Sequence, residues 1–476
     1  MKSWREECGV IGIAGVENAS ELAYFGLYSL QHRGQEGAGI VAFDAGRHGM
    51  LRGLGLVSDI FDQDGLARLP GDLAVGHNRY STTGSCSADN LQPLVSHCMG
   101  GVIALAHNGN LVNAWAERQR LEEEGAIFQT SMDTEVIVHL IARSRRKTLV
   151  DRVQDALRTV KGAYSLVLTD GRTLIAARDP HGYRPLCFGR LGGGIIVASE
   201  SCALDLLGAA YEREIGAGEM LIVENGNLRS MPVDGEPEPR HCIFEYIYFS
   251  RPDSVIFGHP VDPVRRRLGR ILAEESPADA DIVISVPDSS NSAALGFAER
   301  SGIRFEMGLI RNHYVGRTFI QPVQHLRDLR VRVKFNAVRD VLEGKRVVVV
   351  DDSIVRGTTM RKLVKMIRKA GAKDVILRIS SPPIRFPCFY GIDTPTRGEL
   401  IGSTHSVEEI GRYLRVDDIA YLSLEGLHRA APEGLGYCTA CFSGDYPTPF
   451  EELPSKEILE NGTVPPAFTL AEEEEG

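Results

Sequence analysis

The segment 347–359 constrains the fold of this chain more than any other, because it reads as a strand, a polar turn and a helix in succession. Its four valines, 347–350, are typical of a strand buried on both faces of a parallel sheet. Asp351 and Asp352 follow at the carboxyl end of this strand, and the turn 353–359 opens a helix whose apolar residues recur on one face. Open α/β sheets bind ligands at this edge, and helix N-termini attract phosphate. The segment therefore predicts a phosphate-bearing ligand, with the paired acids suited to ribose hydroxyls and a hard cation such as Mg²⁺.

A nucleotide-binding loop of the Walker type is excluded, because no lysine follows Gly357. Instead, the whole segment resembles the phosphoribosyl-pyrophosphate (PRPP) motif of the phosphoribosyltransferases. The resemblance implies that PRPP contacts Asp351, Asp352, Ser353, Arg356, Gly357, Thr358 and Thr359. The plainer alternative is an ordinary buried strand and a capped helix, but a structural turn has no need of two adjacent acids.

Composition limits the class of protein. A length of 476 residues allows about two to four domains. The formal charge of −10 weakens nucleic acid as a general partner. We expect a cytoplasmic protein that binds no membrane, because no apolar run has the length of a membrane span and residues 1–7 lack the apolar core of a signal peptide. Nine cysteines, an odd number, favour thiol chemistry or metal binding over a secreted disulfide framework.

The two halves of the chain differ in their pattern of predicted strands and helices. From about residue 8 to 230, strand-like runs at 10–14, 39–43, 165–169 and 195–198 accompany helical patterns at 20–30 and 132–145, which predicts an α+β sandwich. Beyond a proline-rich break, strands and helices alternate at 281–286, 292–301, 347–350, 359–370 and 374–380, which predicts a parallel α/β sheet. We therefore expect an N-terminal domain at 8–231, a linker at 232–240, a C-terminal domain at 241–460 and an acidic tail at 461–476.

The motifs that follow Cys8 in the sequence indicate a role for this cysteine. These are Gln-His-Arg-Gly-Gln at 31–35, His-Asn-Arg-Tyr-Ser-Thr at 77–82, His-Asn-Gly-Asn at 107–110 and Ser-Met-Asp-Thr-Glu at 131–135. Their order and content resemble the class II glutamine amidotransferases, whose nucleophile is an N-terminal cysteine. The resemblance implies an N-terminal-nucleophile (Ntn) hydrolase sandwich. Hydrolysis of the glutamine amide needs a thiol, a base and an oxyanion site.

By this resemblance, Cys8 is the nucleophile and its own α-amino group, with an ordinary pKa of about 8, exchanges protons with the thiol. Residues 1–7 would then be a propeptide that is cleaved between Glu7 and Cys8. Asn108 and the backbone N–H of Gly109 would form the oxyanion hole.

Three further residues take roles in binding glutamine by the same resemblance. Arg79 would hold the α-carboxylate as a two-pronged partner, and Asp133 would accept the α-ammonium group. Arg33 would help to order the site. The histidines in the same motifs are expected to be structural.

The turn Pro-Asp-Ser-Ser at 287–290 follows a predicted strand and corresponds to the loop that contacts pyrophosphate in phosphoribosyltransferases. Ser289 matches the position whose hydroxyl joins Asp351 and Asp352 around Mg²⁺. Ser290 stands where the amidophosphoribosyltransferases usually have glycine. This departure puts the backbone conformation of the turn in doubt, because serine adopts positive φ reluctantly.

Residues 311–334 hold six lysines or arginines and one acid, Asp328, in a chain of net charge −10. This stretch resembles the flexible loop that closes over PRPP and excludes water, with Tyr314 and Arg317 among the implied PRPP ligands. The alternative is a solvated basic face or a nucleic-acid patch.

The pair Cys438 and Cys441, taken alone, fits a zinc site, a redox pair or half of an iron–sulfur site. Cys242 and Cys388 lie far away in sequence. One branch of the amidophosphoribosyltransferases carries a [4Fe–4S] cluster on cysteines in these contexts and also has a short propeptide. Resemblance to that branch implies a structural cluster on all four thiols, with zinc as the alternative.

Together the halves resemble the amidophosphoribosyltransferase family over nearly the full chain. The implied reaction joins ammonia from glutamine to PRPP and yields 5-phosphoribosylamine, glutamate and pyrophosphate, the first committed step of purine synthesis. The resemblance also implies a homotetramer inhibited by purine nucleotides. Other class II amidotransferases lack the Asp351-Asp352 motif. A PRPP-sensing regulator that binds nucleic acid would not need the glutaminase residues.

Overall fold

The computed structural model describes residues 8–80, 88–98, 101–234, 236–312 and 334–450. Within these ranges the N-terminal half forms two stacked antiparallel sheets, and the C-terminal half is built on a parallel sheet. Both predicted architectures are confirmed. Each strand-like run predicted from the sequence coincides with a strand, with residues 281, 286 and 380 lying just beyond the strand ends, because each run has the periodicity of a buried pleated surface.

The N-terminal half contains a seven-stranded sheet in the order β11-β9-β10-β1-β4-β2-β3 and a six-stranded sheet in the order β13-β12-β8-β7-β6-β5. The strands are β1 (Gly9–Ala14), β2 (Gly37–Asp44), β3 (Arg47–Leu54), β4 (Leu73–Arg79), β5 (Leu94–Cys98), β6 (Gly101–Leu111), β7 (Gly162–Thr169), β8 (Thr173–Arg178), β9 (Cys187–Leu191), β10 (Gly194–Ala198), β11 (Ala210–Glu214), β12 (Glu219–Glu224) and β13 (Asn227–Pro232).

Helices cover the outer faces of the two sheets and complete a four-layer sandwich. The helices of this half are Ala19–Ser29, Val57–Ile60, Gln63–Ala67, Ala114–Glu123, Thr134–Arg143, Leu149–Leu157 and Ser201–Leu207, with a 3₁₀ turn at Ala88–Asn90. One apolar core lies between the sheets and includes Val10, Ala106 and Val167. Separate cores lie beneath the helices on each side. The central position of β1 in its sheet fixes the chain immediately after Cys8.

The C-terminal half contains a four-stranded parallel sheet in the order β17-β20-β21-β22, with cores on both faces. The strands of this half are β14 (His241–Cys242), β15 (Val255–Ile256), β16 (His259–Pro260), β17 (Ile282–Ser285), β18 (Leu309–Arg311), β19 (Phe335–Ala337), β20 (Arg346–Asp351), β21 (Asp374–Ile379), β22 (Asp418–Tyr421) and β23 (Tyr437–Cys438). The α-helices are Val261–Glu275, Asn291–Ser301, Arg339–Leu342, Thr358–Lys369, Ile401–Thr404, Val407–Leu414, Leu424–Ala430 and Ala440–Ser443, beside a π-helical turn at Glu245–Phe249 and a 3₁₀ turn at Arg397–Glu399.

The segment between the halves is fastened to the N-terminal half by its backbone. Residues 236–240 form no strand or helix. The N–H groups of Glu238 and Arg240 donate to the carbonyls of Pro180 and His181. The two halves are thus connected by a docked segment. No helix in the described part of the chain combines the length and apolar character needed to cross a bilayer.

Candidate active sites

Cys8 lies at the start of β1, where its thiol is buried against the end of β4. Its Sγ accepts the backbone N–H of Tyr80 at 3.4 Å and lies 3.3 Å from the Tyr80 carbonyl oxygen. Only 5% of Cys8 is exposed. Register pairs Gly9 with Asn78, so the nucleophile predicted from the sequence lies beside residues 77–80 of the predicted motif; residues 81 and 82 lie outside the described residues.

Asn108 and Gly109 lie on β6, which packs across the sandwich against β1 and β4. The Nδ2 of Asn108 is buried and has no hydrogen-bond partner among the described residues. Gly109 has φ of +151°, and a Cβ there would lie 2.0 Å from the Ala163 carbonyl oxygen. Because a buried, unpartnered amide donor is costly, its presence directly before Gly109 suits a ligand oxygen.

Arg79 and Asp133 are connected through Met132, which contacts the first and precedes the second in sequence. The guanidinium of Arg79 is buried and its Nη1 lies 3.5 Å from the Met132 sulfur. Asp133 accepts the Leu111 N–H at 2.9 Å. Burial alone would raise the pKa of Asp133, but His107 and the hydrogen bonds hold it below its ordinary value. Asp133 is therefore an ionised carboxylate, and it directly follows the methionine that contacts the buried Arg79.

Arg33 is fully buried behind the nucleophile. Its Nε donates to the Cys8 carbonyl oxygen at 3.2 Å, and its other nitrogens pair with Glu200 and Glu245. Burial favours a neutral Glu200, but His32 and Arg33 hold the pKa of that carboxyl well below its usual range. The arrangement fixes the backbone of Cys8 at its carbonyl oxygen.

The second predicted site lies at the carboxyl ends of β17 and β20, which are parallel neighbours. The Ser289 hydroxyl donates to Asp352 Oδ2 at 2.6 Å, and the Ser290 hydroxyl donates to Asp351 Oδ1 at 2.9 Å. Burial and the charge of Asp352 raise the pKa of Asp351 well above its ordinary value, and burial also raises that of Asp352. The two carboxylates thus form a hard oxygen donor set that a divalent cation would stabilise.

The turn after Asp352 leads into the helix Thr358–Lys369, with Gly357 at its N-cap. The N–H groups of its first turn therefore lie at the same sheet edge as the two acids. The Arg356 side chain pairs with Glu399 at 2.8 Å. Tyr314 and Arg317 lie outside the described residues.

The four cysteines expected to share a cluster are near neighbours. Cys242 pairs with Cys438 in a short parallel ladder. Burial raises the pKa of Cys441, and the thiols of Cys242, Cys438 and Cys388 raise it further. None of the four forms a disulfide within the described part of the chain. In the chain as described, no three histidine, cysteine or acidic side chains are arranged to hold a metal ion.

Three functional contacts were not anticipated from the sequence: the Tyr80 backbone at the thiol, the Ser290 hydroxyl at the acids, and Glu245 behind Arg33. Tyr80 lay inside a motif that was recognised for its side chains. Glu245 carried a signal, because it is an isolated acid in the apolar run Cys-Ile-Phe-Glu-Tyr-Ile-Tyr-Phe at 242–249. Such an acid is almost always paired when buried.

Comparison with known proteins identifies both domains. Residues 77–206 match the family described as a glutamine amidotransferase domain, and residues 298–380 match the phosphoribosyl transferase domain. The amidophosphoribosyltransferase of Bacillus subtilis (strain 168) is 52% identical over 454 residues, which span 94% of this chain and 95% of that protein. The chain belongs to the amidophosphoribosyltransferase family. The predicted enzyme, which uses glutamine and PRPP in purine biosynthesis, is thereby confirmed.

Other amidophosphoribosyltransferases give the same result. Amidophosphoribosyltransferase 2, chloroplastic, of Arabidopsis thaliana is 52% identical over 466 residues, 97% of this chain and 83% of that protein. A solved structure, glutamine PRPP amidotransferase from B. subtilis complexed with ADP and GMP, superimposes with a TM-score of 0.88 at 52% identity, covering 93% of this chain and 98% of that one. The Ntn and phosphoribosyltransferase folds expected for the two halves are confirmed.

Proposed function

We propose that this amidophosphoribosyltransferase uses Cys8 to release ammonia from glutamine and the Asp351–Asp352 site to join it to PRPP. The observation that supports this most strongly is the buried Nδ2 of Asn108, which has no partner among the described residues and lies on a strand packed against that of the nucleophile. An amide donor in that condition fits an oxyanion that forms only during the reaction.

The glutaminase half supplies each group that amide hydrolysis needs. The glutamine α-carboxylate binds Arg79 and its α-ammonium group binds Asp133, which places the amide carbon near Cys8. The thiol attacks this carbon and ammonia leaves. Asn108 Nδ2 and the Gly109 N–H stabilise the negative oxygen that develops, and water then releases glutamate from the thioester.

The phosphoribosyltransferase half holds PRPP between the acids and the helix N-terminus. The 5-phosphate binds the turn residues Ser353, Gly357, Thr358 and Thr359, and the ribose hydroxyls face Asp351 and Asp352. Mg²⁺ would be held by Ser289, Asp351 and Asp352, where it would neutralise the pyrophosphate as it leaves the anomeric carbon. The Ser289 hydroxyl donates to the Asp352 carboxylate and the backbone N–H of Asp352 donates to the Asp351 carboxylate, which supports the assignment.

We also assign the chain to the branch with a propeptide and an iron–sulfur cluster. The neighbouring cysteines 242, 388, 438 and 441, which form no disulfide within the described residues, fit the donor set of a [4Fe–4S] cluster, which would cross-link these segments in a structural role. Removal of residues 1–7 would free the α-amino group of Cys8, and mass determination of the mature N-terminus tests this.

Regulation and assembly follow by analogy. Because the similar B. subtilis enzyme was solved with ADP and GMP bound, we propose that purine nucleotides inhibit this chain as well. A homotetramer is proposed on the family resemblance alone.

A product assay tests the function directly. Purified protein with glutamine, PRPP and Mg²⁺ should release pyrophosphate and glutamate in equal amounts, and ammonia should replace glutamine. Failure to release pyrophosphate with either nitrogen donor would overturn the proposed reaction and favour a PRPP-binding regulator.

A further inference from the structure

Glu245 belongs to the C-terminal half, but its side chain pairs with Arg33 of the glutaminase site. It belongs to the π-helical turn Glu245–Phe249, yet its carboxylate lies within a fully buried cluster of charges from the N-terminal half. Arg33 reaches it with two nitrogens, at 2.6 Å to Oε1 and 3.1 Å to Oε2. The Ser250 hydroxyl donates to Oε2 at 2.6 Å. The rotamer of Glu245 is therefore fixed by contacts on both oxygens.

One side of this cluster holds the nucleophile. The same guanidinium that pairs with Glu245 donates from Nε to the carbonyl oxygen of Cys8 at 3.2 Å. Glu245 is connected to Cys8 through Arg33. It acts on the nucleophile by fixing the orientation of Arg33, because a planar guanidinium held at two nitrogens has little freedom at the third.

The other side of the cluster leads to the oxyanion strand. Arg184 lies 3.6 Å from Glu245 Oε1 and donates to the Tyr390 carbonyl oxygen at 3.0 Å from Nε and 2.6 Å from Nη2. The next residue, Gly391, has φ of +106° and lies so close to Gly109 that a Cβ would come within 3.1 Å of its Cα. Asn110 Nδ2 also donates to the Phe389 carbonyl at 2.9 Å.

We propose that Glu245 is a positioning residue for glutamine hydrolysis, which aligns Cys8 through Arg33 and supports Gly109 through Arg184 and the segment 389–391. The glutaminase site is then complete only when the C-terminal half is docked on it. This inference rests on the proposed function, because it assigns the alignment of that same nucleophile and oxyanion hole.

The test compares Glu245→Gln, Glu245→Asp and Glu219→Gln in the full-length enzyme. Glu219 pairs with Arg213 at 2.7 and 2.8 Å within the N-terminal half. Glu219→Gln therefore breaks a two-pronged ion pair that touches neither Cys8 nor Gly109. Glu245→Gln should lower the glutamine-dependent kcat by roughly tenfold or more, since small misplacements of reacting groups are costly. The KM for glutamine should change little, because Arg79 and Asp133 are untouched, and ammonia-dependent activity should stay near wild type.

Two readouts separate alignment from general damage. The rate at which 6-diazo-5-oxo-L-norleucine alkylates Cys8 should fall together with the glutamine-dependent kcat. Glu245→Asp, which keeps the charge, should lie closer to wild type than Glu245→Gln, and Glu219→Gln should leave both activities unchanged. Equal loss of glutamine- and ammonia-dependent activity, or an unchanged glutamine-dependent kcat, would overturn the proposal.

Should Glu245→Gln fail to accumulate as folded protein, Arg184→Lys tests the same connection. Lysine keeps the charge but cannot donate hydrogen bonds to the Tyr390 carbonyl oxygen from two nitrogens. The same selective loss of glutamine-dependent kcat is therefore expected. Retention of full glutamine-dependent activity in that variant would refute the inference. A wild-type enzyme without glutamine-dependent activity would instead refute the proposed function.

Discussion

The Ser290 hydroxyl donates a hydrogen bond to Asp351 Oδ1 over 2.9 Å and lies 3.3 Å from Asp352 Oδ2. Ser290 has φ of −88° at the N-cap of the helix Asn291–Ser301, a conformation open to any residue. Serine in place of the expected glycine therefore imposes no backbone strain here. It adds a buried donor to a pair of carboxylates whose pKa values are already raised by burial.

Removing this hydroxyl should weaken PRPP binding. Ser290→Ala and Ser290→Gly are both expected to raise the KM for PRPP about fivefold, since a hydrogen bond to a charged group contributes on the order of 1 kcal/mol or more. The KM for glutamine should not change. Ser285→Ala is the control, because Ser285 bonds Asn291 rather than the acids. If Ser290→Gly matched wild type while Ser290→Ala did not, backbone conformation rather than the hydroxyl would be decisive.

Asn108→Ala should lower the glutamine-dependent kcat by about 10²- to 10³-fold, the usual cost of losing an oxyanion donor. Ammonia-dependent activity should persist. The matched control is Asn113→Ala, since the Asn113 side chain bonds only the backbone of Thr159 and Lys161 in the described structure. A similar loss in both Asn variants would point to damage of the fold rather than of the oxyanion hole.

Ionisation of Glu214 should lower the free energy of unfolding as the pH rises from about 4.5 to about 7. Burial raises its pKa from 4.5 to about 7 despite the nearby Arg178. Between these values the unfolded chain releases a proton that the folded protein keeps, so this group removes about 3 kcal/mol of stability by pH 7. Glu214→Gln should therefore gain in Tm relative to wild type between pH 5 and pH 8. A Tm difference independent of pH would contradict this account.

The cysteine cluster makes a separate prediction about metal content. Anaerobically purified wild type should contain iron and acid-labile sulfide, and Cys441→Ser should lose most of both. Cys202→Ser should keep them, because Cys202 is buried in the N-terminal half beside Glu200. Zinc in place of iron and sulfide would disprove the cluster.

The sequence was informative where chemistry is encoded locally. The valines at 347–350, the paired acids and the helix face predicted the strand, turn and helix at their observed places, because period and β-branching act over a few residues. Contacts between the halves could not be predicted in this way. The pairing of Glu245 with Arg33 joins residues 212 positions apart, and no periodic pattern specifies which buried acid meets which arginine.

The hydrogen bond of Ser290 to the acids could not be predicted from the sequence for a different reason. Its backbone conformation depends on where the helix Asn291–Ser301 begins, and helix ends are the least certain part of a prediction from sequence. Comparison with the family motif identified the position but could not show that a hydroxyl there would reach across to a neighbouring parallel strand.

Cys8→Ala gives the most direct test of two sites that act in succession. Glutamine-dependent release of pyrophosphate from PRPP should disappear, because no thiol remains to attack the amide. Activity with free ammonia should stay within about twofold of wild type, since the structure places Asp351 and Asp352 in the other half of the chain. Loss of both activities, or glutamine-dependent activity without the thiol, would contradict the account.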